Sequence, residues 1–302
     1  MKISIVGAGR LGSLIGFLIA DRGLADEIVL VDINRTGAEG QALDLKHAFL
    51  KSKKSPKISA GDYSATSGSE IIIITAGKPR TATMNSRAEL LADNAKIIKG
   101  IACEIKSHCK GAILITTTNP TDAINTILWK ETGFDRSKII GFGGLLDSSR
   151  FKAIVSEELK VPTNSISCEA IGEHGENMVP LFSRMKINGK PAVLTPGQKE
   201  KIRSLLLGIA KEVIEKKGAT EYGPVSNLLR IVEAIVNDKK EALPCSCILQ
   251  GEYGISDVSI GVPAVIGKHG IEKIEVWHID SDEAERLRRA ENKIKADVGA
   301  AK

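Results

Sequence analysis

Aromatic residues are scarce in this chain and make up only 4% of its 302 residues. The formal net charge is +5 at pH 7, and four lysines lie close together at Lys51, Lys53, Lys54 and Lys57. Surfaces that bind nucleic acids combine basic patches with aromatic side chains that stack on bases. Because no aromatic residue is interleaved with these lysines, we interpret the segment as a solvated loop and expect no nucleic-acid partner.

Cysteine is also infrequent, and its spacing fits neither a disulfide framework nor a metal site. The chain has five cysteines, an odd number, and no C-x-x-C pair. Two of them, Cys245 and Cys247, alternate as they would on one face of a strand. We therefore predict reduced, mostly buried thiols in a cytoplasmic protein, and no metal ligands, for Cys103, Cys109, Cys168, Cys245 and Cys247.

Long apolar runs, internal repeats and low-complexity linkers are absent as well. The longest early apolar stretch, Leu11 to Ala20, is much shorter than the roughly 20 residues that a membrane-spanning helix needs. The N-terminus begins directly with a strand and a glycine turn, which differs from a secretory signal. With 42% apolar and 26% charged residues, the chain is expected to be a globular protein of two lobes with no membrane partner.

The first half of the chain alternates strand and helix patterns. Strands are predicted at Lys2–Gly7, Glu27–Val31, Lys57–Ala60, Glu70–Thr75, Ala112–Thr116 and Lys138–Gly141. Helices are predicted at Leu11–Arg22, Gly37–Leu50, Ser86–His108 and Thr121–Lys130. This alternation predicts an α/β fold with a doubly wound, six-stranded parallel (Rossmann) sheet over residues 1–143 and a ligand crevice at the carboxyl ends of its strands.

After about residue 143 the pattern changes to that of an α+β domain, which we place at residues 144–302. Helices are predicted at Leu146–Leu159, from Thr195 to Lys217, and at Asp280–Ala296. Strands are predicted at Ser165–Ile171, on both sides of a turn at Asn188-Gly189, and at Leu243–Gln250, Ser256–Ile266 and Glu272–His278. The last three strands are expected to form an antiparallel sheet.

A G-x-G-x-x-G motif directly follows the first predicted strand. Gly7 permits a tight turn, Gly9 leaves room for a pyrophosphate, and Gly12 lets the helix lie close to the strand. The N–H groups at the start of the helix, including those of Arg10 and Leu11, are expected to bind the phosphates. The motif therefore predicts a dinucleotide cofactor.

The second predicted strand ends in Asp32, twenty residues past Gly12. A carboxylate at this point accepts hydrogen bonds from the adenosine ribose and repels a 2′-phosphate, which favours NAD. Arg35, three residues later, leaves NADP as a weaker alternative.

Three further segments carry polar side chains at predicted strand ends or helix starts. The loop from Thr75 to Arg87 contains three cations, and guanidinium forks match the geometry of a carboxylate. Asp147 and Arg150 share one helix face. His174 stands in a glycine-flanked turn after a strand and is the best of the five histidines as a general base.

Together these motifs resemble the lactate/malate dehydrogenase family nearly from end to end. The residues that carry the resemblance are Gly7 to Gly12, Val31-Asp32, Thr75-Ala76-Gly77 with the arginine loop, Thr118-Asn119-Pro120, Leu146 to Arg150 and Gly172 to Gly175. The resemblance implies reversible hydride transfer between NAD and an L-2-hydroxy acid in a homo-dimer or homo-tetramer.

The resemblance also implies roles for individual residues around the substrate. His174 would exchange the proton of the substrate hydroxyl, and Asp147 would orient its imidazole and favour the protonated form. Arg150 would bind the carboxylate at carbon 1, and Arg87 would polarise the carbonyl oxygen. Thr220 would line the substrate pocket.

Three further residues would bind the cofactor by the same resemblance. Asn119, with Thr118 before it, would lie at a strand end and bridge nicotinamide and substrate. Asn94, on the helix that follows Arg87, would touch the cofactor.

The choice between malate and lactate depends on a cation beside the substrate tail, because an unpaired buried carboxylate costs several kcal/mol. Malate enzymes of the family have an arginine six residues before the polarising arginine, where lactate enzymes commonly have glutamine. Here Thr81 holds that position and Arg80 precedes it. Either the loop has one extra residue and Arg80 reaches the site, or Thr81 occupies it.

No glutamine lies between Gly77 and Arg87, and Arg80 is the only other arginine there. We therefore expect an NAD-dependent L-malate dehydrogenase acting on a small dicarboxylate, with L-lactate or another L-2-hydroxy acid as the alternative substrate. Two remoter alternatives are a metal- and NAD-dependent glycosidase and a protein that senses NADH without catalysis.

Overall fold

The computed structural model describes residues 1–52, 55–78 and 87–301, and the side chains of all these residues except Arg87 and Ala88. The strands of the first half are β1 (Lys2–Val6), β2 (Glu27–Val31), β3 (Lys57–Gly61), β4 (Ile71–Ile74), β5 (Ile113–Thr116) and β6 (Ile139–Gly141). The helices of this half are α1 (Arg10–Asp21), α2 (Arg35–Phe49), α3 (Arg87–His108) and α4 (Thr121–Thr132).

The described strands β1 to β6 form a parallel sheet in the order β3-β2-β1-β4-β5-β6. The order reverses beside β1, which pairs with β2 on one side and β4 on the other. All four residues of β4 are 0% exposed, as expected for a strand covered on both faces. The predicted doubly wound parallel sheet is confirmed, and its crevice lies at the carboxyl ends of the strands.

The second half adds helices and short strands to one edge of this sheet. Its helices are α5 (Gly144–Leu159), α6 (Pro196–Lys217), α7 (Tyr222–Val236) and α8 (Ser281–Ala300). Its strands are β7 (Ile166–Ser167), β8 (Ala170–Gly172), β9 (Met178–Pro180), β10 (Lys186–Ile187), β11 (Lys190–Pro191), β12 (Glu241–Gln250), β13 (Ser256–Gly267) and β14 (Gly270–Ile274).

The antiparallel strands continue the parallel sheet. β12 pairs with β6, β13 pairs with β12, and β8 follows β13 through Gly172 and Gly261. A separate three-stranded sheet has the order β11-β10-β7. The predicted α+β character of this half is therefore confirmed, while the division into domains at residue 143 remains a proposal, because the ladder runs from β6 directly into β12.

Two strand predictions in the second half are partly wrong. The predicted strand Ser165–Ile171 is divided between β7 and β8, which belong to different sheets. The predicted strand Glu272–His278 ends at Ile274. Glu275 still donates its backbone N–H to the carbonyl of Pro263 in β13, whereas Trp277 donates its backbone N–H to the hydroxyl of Tyr253 instead of a strand neighbour.

Helix α7 has no counterpart among the predicted elements. Its Gly223-Pro224 pair is typical of a turn, but proline also fits the first turn of a helix, where its missing N–H is not needed. The buried side chains Val225, Leu228 and Val232 follow at helical spacing. The helical spacing of these apolar residues could have predicted α7, but the glycine-proline pair at its start is also typical of a turn.

Five cysteines are free thiols, and all except the exposed Cys103 are buried. In the described ranges no group of three or more His, Cys, Asp or Glu side chains is arranged to hold a metal ion. Among the helices of those same ranges, none has both the length and the apolar character required to cross a bilayer.

Replacing Gly12 by alanine should destabilise the protein, because a Cβ there would overlap the carbonyl oxygen of Gly7. We expect a loss of about 3 kcal/mol in the free energy of unfolding, measured by chemical denaturation. Gly100 in α3 is the matched control, since a Cβ there meets nothing within 4 Å. Gly100→Ala should increase the free energy of unfolding by about 0.5–1 kcal/mol. Equal effects of the two substitutions would contradict the close packing of Gly12 against Gly7.

Candidate active site

The glycine motif forms the turn between β1 and α1. Gly7 has a φ of +106°, and a Cβ there would lie 2.5 Å from the backbone nitrogen of Ala76. The N-cap residue Gly9 has no side-chain cap, and a Cβ there would meet nothing within 4 Å. The open space beside Gly9 and the uncapped helix start fit a bound pyrophosphate, which would accept hydrogen bonds from backbone N–H groups.

Asp32 lies at the end of β2, beside the glycine turn. Its Oδ2 accepts a hydrogen bond from the backbone N–H of Ala8 at 2.7 Å, and its Oδ1 accepts one from Asn34 at 2.8 Å. Each carboxylate oxygen has further acceptor capacity, so the group can also receive ribose hydroxyls. The neighbouring Ile33 is fully exposed, at 101%, and is an apolar surface that the sequence analysis did not assign to the site.

The ends of β4 and β5 are tied together by Asn94 of α3. Asn94 is 0% exposed; its Oδ1 accepts from the N–H of Lys78 at 2.7 Å, and its Nδ2 donates to the carbonyl of Asn119 at 2.7 Å. Thr118 is buried, and its hydroxyl donates to the carbonyl of Ala76. Asn119 itself is exposed, and its Oδ1 accepts from Thr121 at 3.2 Å.

His174 and Asp147 meet in direct contact. His174 follows β8, Asp147 lies in the first turn of α5, and the imidazole Nδ1 is 2.7 Å from Asp147 Oδ2. The side chains are 18% and 3% exposed. Gly143, just before α5, is required here, because a Cβ there would lie 2.8 Å from the Cβ of His174.

The charge of Asp147 determines the protonation of His174. Burial by itself lowers the pKa of the imidazole, but the charge of Asp147 and its hydrogen bond raise it, and the net shift is upward from 6.5. The histidine side chain is therefore able to hold a proton near neutral pH and to release it within the pH range of ordinary enzymes.

Arg150 lies one helical turn after Asp147, with its side chain 14% exposed. Its Nη1 is 3.8 Å from Asp147 Oδ1, which is too long for a hydrogen bond. Burial lowers the pKa of this guanidinium, while the charge of Asp147 opposes the shift. Within the described part of the chain, Asp147 Oδ1 has no hydrogen-bond partner, so its ion pair with Arg150 leaves the N–H donors of the guanidinium fork able to bind an anion.

Asp122 is a site residue that the sequence analysis missed. It lies in α4, is 2% exposed, and accepts the backbone N–H of His174 on its Oδ2 at 2.7 Å. Its sequence position after Asn119-Pro120 is typical of an acidic residue in the first turn of a helix. Only the three-dimensional structure shows that this carboxylate contacts the histidine backbone.

Thr220 is half-buried in the turn between α6 and α7. The next residue, Glu221, pairs with Lys217 and lies 3.8 Å from Nη1 of Arg10. Gly223 approaches Leu146, the neighbour of Asp147, since a Cβ there would lie 3.2 Å from Leu146 Cδ1. The turn that carries Thr220 is therefore anchored between the glycine motif and the start of α5.

For two of the predicted substrate-binding residues, Arg80 and Arg87, the side chain lies outside what the structure describes. Arg80 lies outside the described residues, and so does Thr81. Arg87 is the first residue of α3, but its side chain is not among those described.

Fold and site together define the class of protein. The glycine turn and Asp32 lie at the point where the strand order reverses, which is where dinucleotides bind in open α/β sheets. The buried imidazole–carboxylate pair of His174 and Asp147 lies beside the guanidinium of Arg150. The chain is an NAD-dependent dehydrogenase.

Comparison with known proteins identifies the family. The model for the lactate/malate dehydrogenase NAD-binding domain matches residues 1–141, and that for the lactate/malate dehydrogenase alpha/beta C-terminal domain matches residues 145–302. The chain belongs to the lactate/malate dehydrogenase family.

Individual relatives carry both names of the family. The chain is 40% identical over 298 residues to a malate dehydrogenase of Halobacterium salinarum, covering 98% of this chain and 97% of that one. It is 38% identical over 297 residues to L-lactate dehydrogenase 1 of Clostridium acetobutylicum, covering 95% and 94%. A solved structure of malate dehydrogenase from Archaeoglobus fulgidus with NADH superposes with a TM-score of 0.91 at 38% identity, covering 100% and 99%.

Replacing Asp147 by asparagine should lower the pKa of His174, because the charge that favours the imidazolium is removed. Because the pKa of His174 is raised in the folded wild type, His174 stabilises the folded protein at low pH, and this contribution to the free energy of unfolding is lost as the pH rises through the folded-state pKa. Asp147→Asn should lack this pH-dependent contribution. NMR titration of the His174 ring measures the shift directly.

Asp44→Asn on the exposed face of α2 is the control and should leave the titration of His174 unchanged. An unaltered titration in Asp147→Asn would contradict the assigned interaction.

Proposed function

We propose that this enzyme catalyses the reversible, NAD-dependent oxidation of L-malate to oxaloacetate. The observation that carries the reaction type is the 2.7 Å contact between the buried carboxylate of Asp147 and the imidazole of His174, beside the guanidinium of Arg150. Such a set supplies a proton exchanger and an anion-binding group at one place.

His174 acts as the acid and base of the reaction. In malate oxidation the neutral imidazole takes the proton of the substrate hydroxyl, and in oxaloacetate reduction the imidazolium returns it. Asp147 holds the ring through Nδ1, so the other ring nitrogen, Nε2, is the one that faces the substrate. Proton transfer of this kind contributes about 10²- to 10⁴-fold to the rate.

Arg150 binds the substrate carboxylate at carbon 1 with its planar fork. Its availability within the described residues and its low exposure make the interaction strong, because little solvent screens it. Arg87 polarises the carbonyl oxygen on which negative charge develops, a role that rests on the family resemblance. Thr220, in the anchored turn before α7, lines the remaining side of the pocket.

NAD accepts or supplies the hydride when it is bound. Gly7, Gly9 and Gly12, with the N–H groups of Arg10 and Leu11, hold its pyrophosphate, as the open helix start supports. Asp32 receives the adenosine ribose and disfavours a 2′-phosphate, which leaves NADP as the weaker cofactor.

Asn119 and Thr118 are proposed to contact the nicotinamide end, since Asn119 is exposed at the end of β5. Asn94 is buried, and its amide group holds the backbones of Lys78 and Asn119. We keep the contact of Asn94 with the cofactor as a proposal, and its amide also supports the cofactor site by fixing the position of Asn119.

The preference for malate rests on Arg80 and on the relatives. Relatives named malate dehydrogenase and L-lactate dehydrogenase both match this chain, with identities of 40% and 38%. The second carboxylate of malate needs a cation in a closed site, and Arg80 is the arginine that the loop offers. L-Lactate is the alternative substrate.

We propose that the enzyme works as a homo-dimer or homo-tetramer in the cytoplasm. Exposed apolar side chains on adjacent helices support a contact with a second copy: Phe17 on α1, Leu43 on α2 and Tyr222 on α7 are 38%, 54% and 70% exposed. Five free cysteines, four of them buried, are consistent with a reducing compartment.

Arg80→Gln should reduce kcat/KM for oxaloacetate by at least about 100-fold, because the second substrate carboxylate loses its partner. The value for pyruvate should change little. Arg289→Gln, at an exposed ion pair of α8, is the control and should leave both values unchanged. A wild-type enzyme that prefers pyruvate to oxaloacetate would overturn the choice of malate.

His174→Ala should still bind NADH but oxidise it about 10²- to 10⁴-fold more slowly when oxaloacetate is present. NADH fluorescence measures binding, and absorbance measures turnover. Undiminished turnover would remove His174 from the reaction. Absence of NADH oxidation by the wild type with every 2-oxo acid tested would instead favour a protein that senses NADH.

A further inference from the structure

Asp122 carries a charge in a place where charge is costly. It lies in the first turn of α4, and only 2% of its surface is exposed. Burying an ionised carboxylate costs several kcal/mol unless hydrogen bonds or an opposite charge compensate. The partners of this carboxylate therefore indicate what it holds in place.

Both oxygens of Asp122 accept hydrogen bonds from neutral donors. The backbone N–H of His174 donates to Oδ2 at 2.7 Å, and the hydroxyl of Ser246 donates to Oδ1 at 2.5 Å. Ser246 Oγ also lies 2.7 Å from Ser259 Oγ, which accepts from Asn125 Nδ2 at 2.9 Å. Asp122 thus joins the backbone of His174 to the paired strands β12 and β13.

This contact fixes a segment that has little stiffness of its own. Gly172 adopts a φ of +88°, and Gly175 follows the histidine directly. Glycines restrict the backbone less than other residues do. Asp147 on α5 holds the ring of His174, and Asp122 on α4 holds its backbone, so two helices together determine where the imidazole lies.

We propose that Asp122 is a positioning residue for the proton-transfer step, which fixes the backbone of His174 and adds a second negative charge beside its imidazole. The inference rests on the proposed function of His174. It assigns to Asp122 a part in catalysis that is exerted through His174, without contact with the substrate.

The charges around the imidazole support this assignment. The carboxylates of Asp147 and Asp122 both raise the pKa of His174, whereas burial and the guanidinium of Arg150 lower it. Without Asp122, only the carboxylate of Asp147 would counteract the effect of the Arg150 guanidinium on the pKa of His174. The protonated form that donates to oxaloacetate would then be less populated at neutral pH.

Asp122 itself titrates in the working range. Burial raises its pKa from 3.8 to about 6, against the hydrogen bonds from Ser246 and His174, and the charge of Glu173 adds to the rise. The thiol of Cys247 on β12 is also buried near Asp122. Burial raises the pKa of this thiol, and the negative charge of Asp122 raises it further. As the pH falls through about 6, Asp122 becomes neutral and holds the backbone N–H of His174 less strongly, so oxaloacetate reduction should slow although the imidazole stays protonated.

Asp122→Asn in the full-length enzyme tests the proposal. Asparagine keeps the shape and an acceptor for the His174 N–H but removes the charge. We expect kcat for oxaloacetate reduction to fall about 10- to 100-fold with unchanged NADH binding, and the acidic limb of its pH profile to disappear. The pKa of His174, followed by NMR, should fall as well.

Glu283→Gln is a closely matched control. Glu283 is 1% exposed in the first turn of α8, and it accepts the backbone N–H and the hydroxyl of Ser183. The substitution therefore repeats the same chemical change at another buried helix start. It should alter stability without altering the pH profile, and identical profiles for Asp122→Asn and Glu283→Gln would overturn the proposal.

Ser246→Ala provides a second and opposite test. The Ser246 hydroxyl lowers the pKa of Asp122, so its removal should move the acidic limb of oxaloacetate reduction to higher pH. If Asp122→Asn does not fold, this shift decides alone, and an unmoved limb would overturn the proposal. If His174→Ala keeps full turnover, the proposed function fails; if only Asp122→Asn behaves as wild type, this inference alone fails.

Discussion

The hydrogen bond between Asp147 and His174 is the interaction on which the rest of the site depends. At 2.7 Å, with the carboxylate 3% exposed, it places one charge where solvent screens it weakly. Burial lowers the pKa of the imidazole, but the charge of Asp147, its hydrogen bond and the charge of Asp122 together raise it above 6.5. Asp147 Oδ1 also lies 3.8 Å from Arg150 Nη1. The one negative charge of Asp147 therefore interacts with both the imidazole of His174 and the guanidinium of Arg150.

The fold produces this arrangement by joining two kinds of sheet. The parallel strands bring the glycine turn, Asp32 and Asn119 to one edge, where a dinucleotide can lie across the strand ends. Pairing of β12 with β6 then continues the ladder, and β13 carries β8 at its far side. His174 follows β8, so the same continuous sheet supports both the cofactor crevice and the histidine.

The sequence predicted the parts of the site that depend on local pattern. Gly7, Gly9 and Asp32 were identified because their roles follow from short segments with fixed spacing. Asp122 could not be, since its partners His174 and Ser246 lie 52 and 124 residues away in the chain. Helix α7 was missed for another reason, because its Gly223-Pro224 start is also typical of a turn.

The pH dependence of kcat/KM in both directions tests the central claim most directly. If His174 exchanges the proton, malate oxidation should rise with pH through a pKa above 6.5, because it needs the neutral imidazole. On the same alkaline side, oxaloacetate reduction should fall through the same pKa, because it needs the imidazolium. Two profiles that change in the same direction, or that show no inflection above 6.5, would contradict the account.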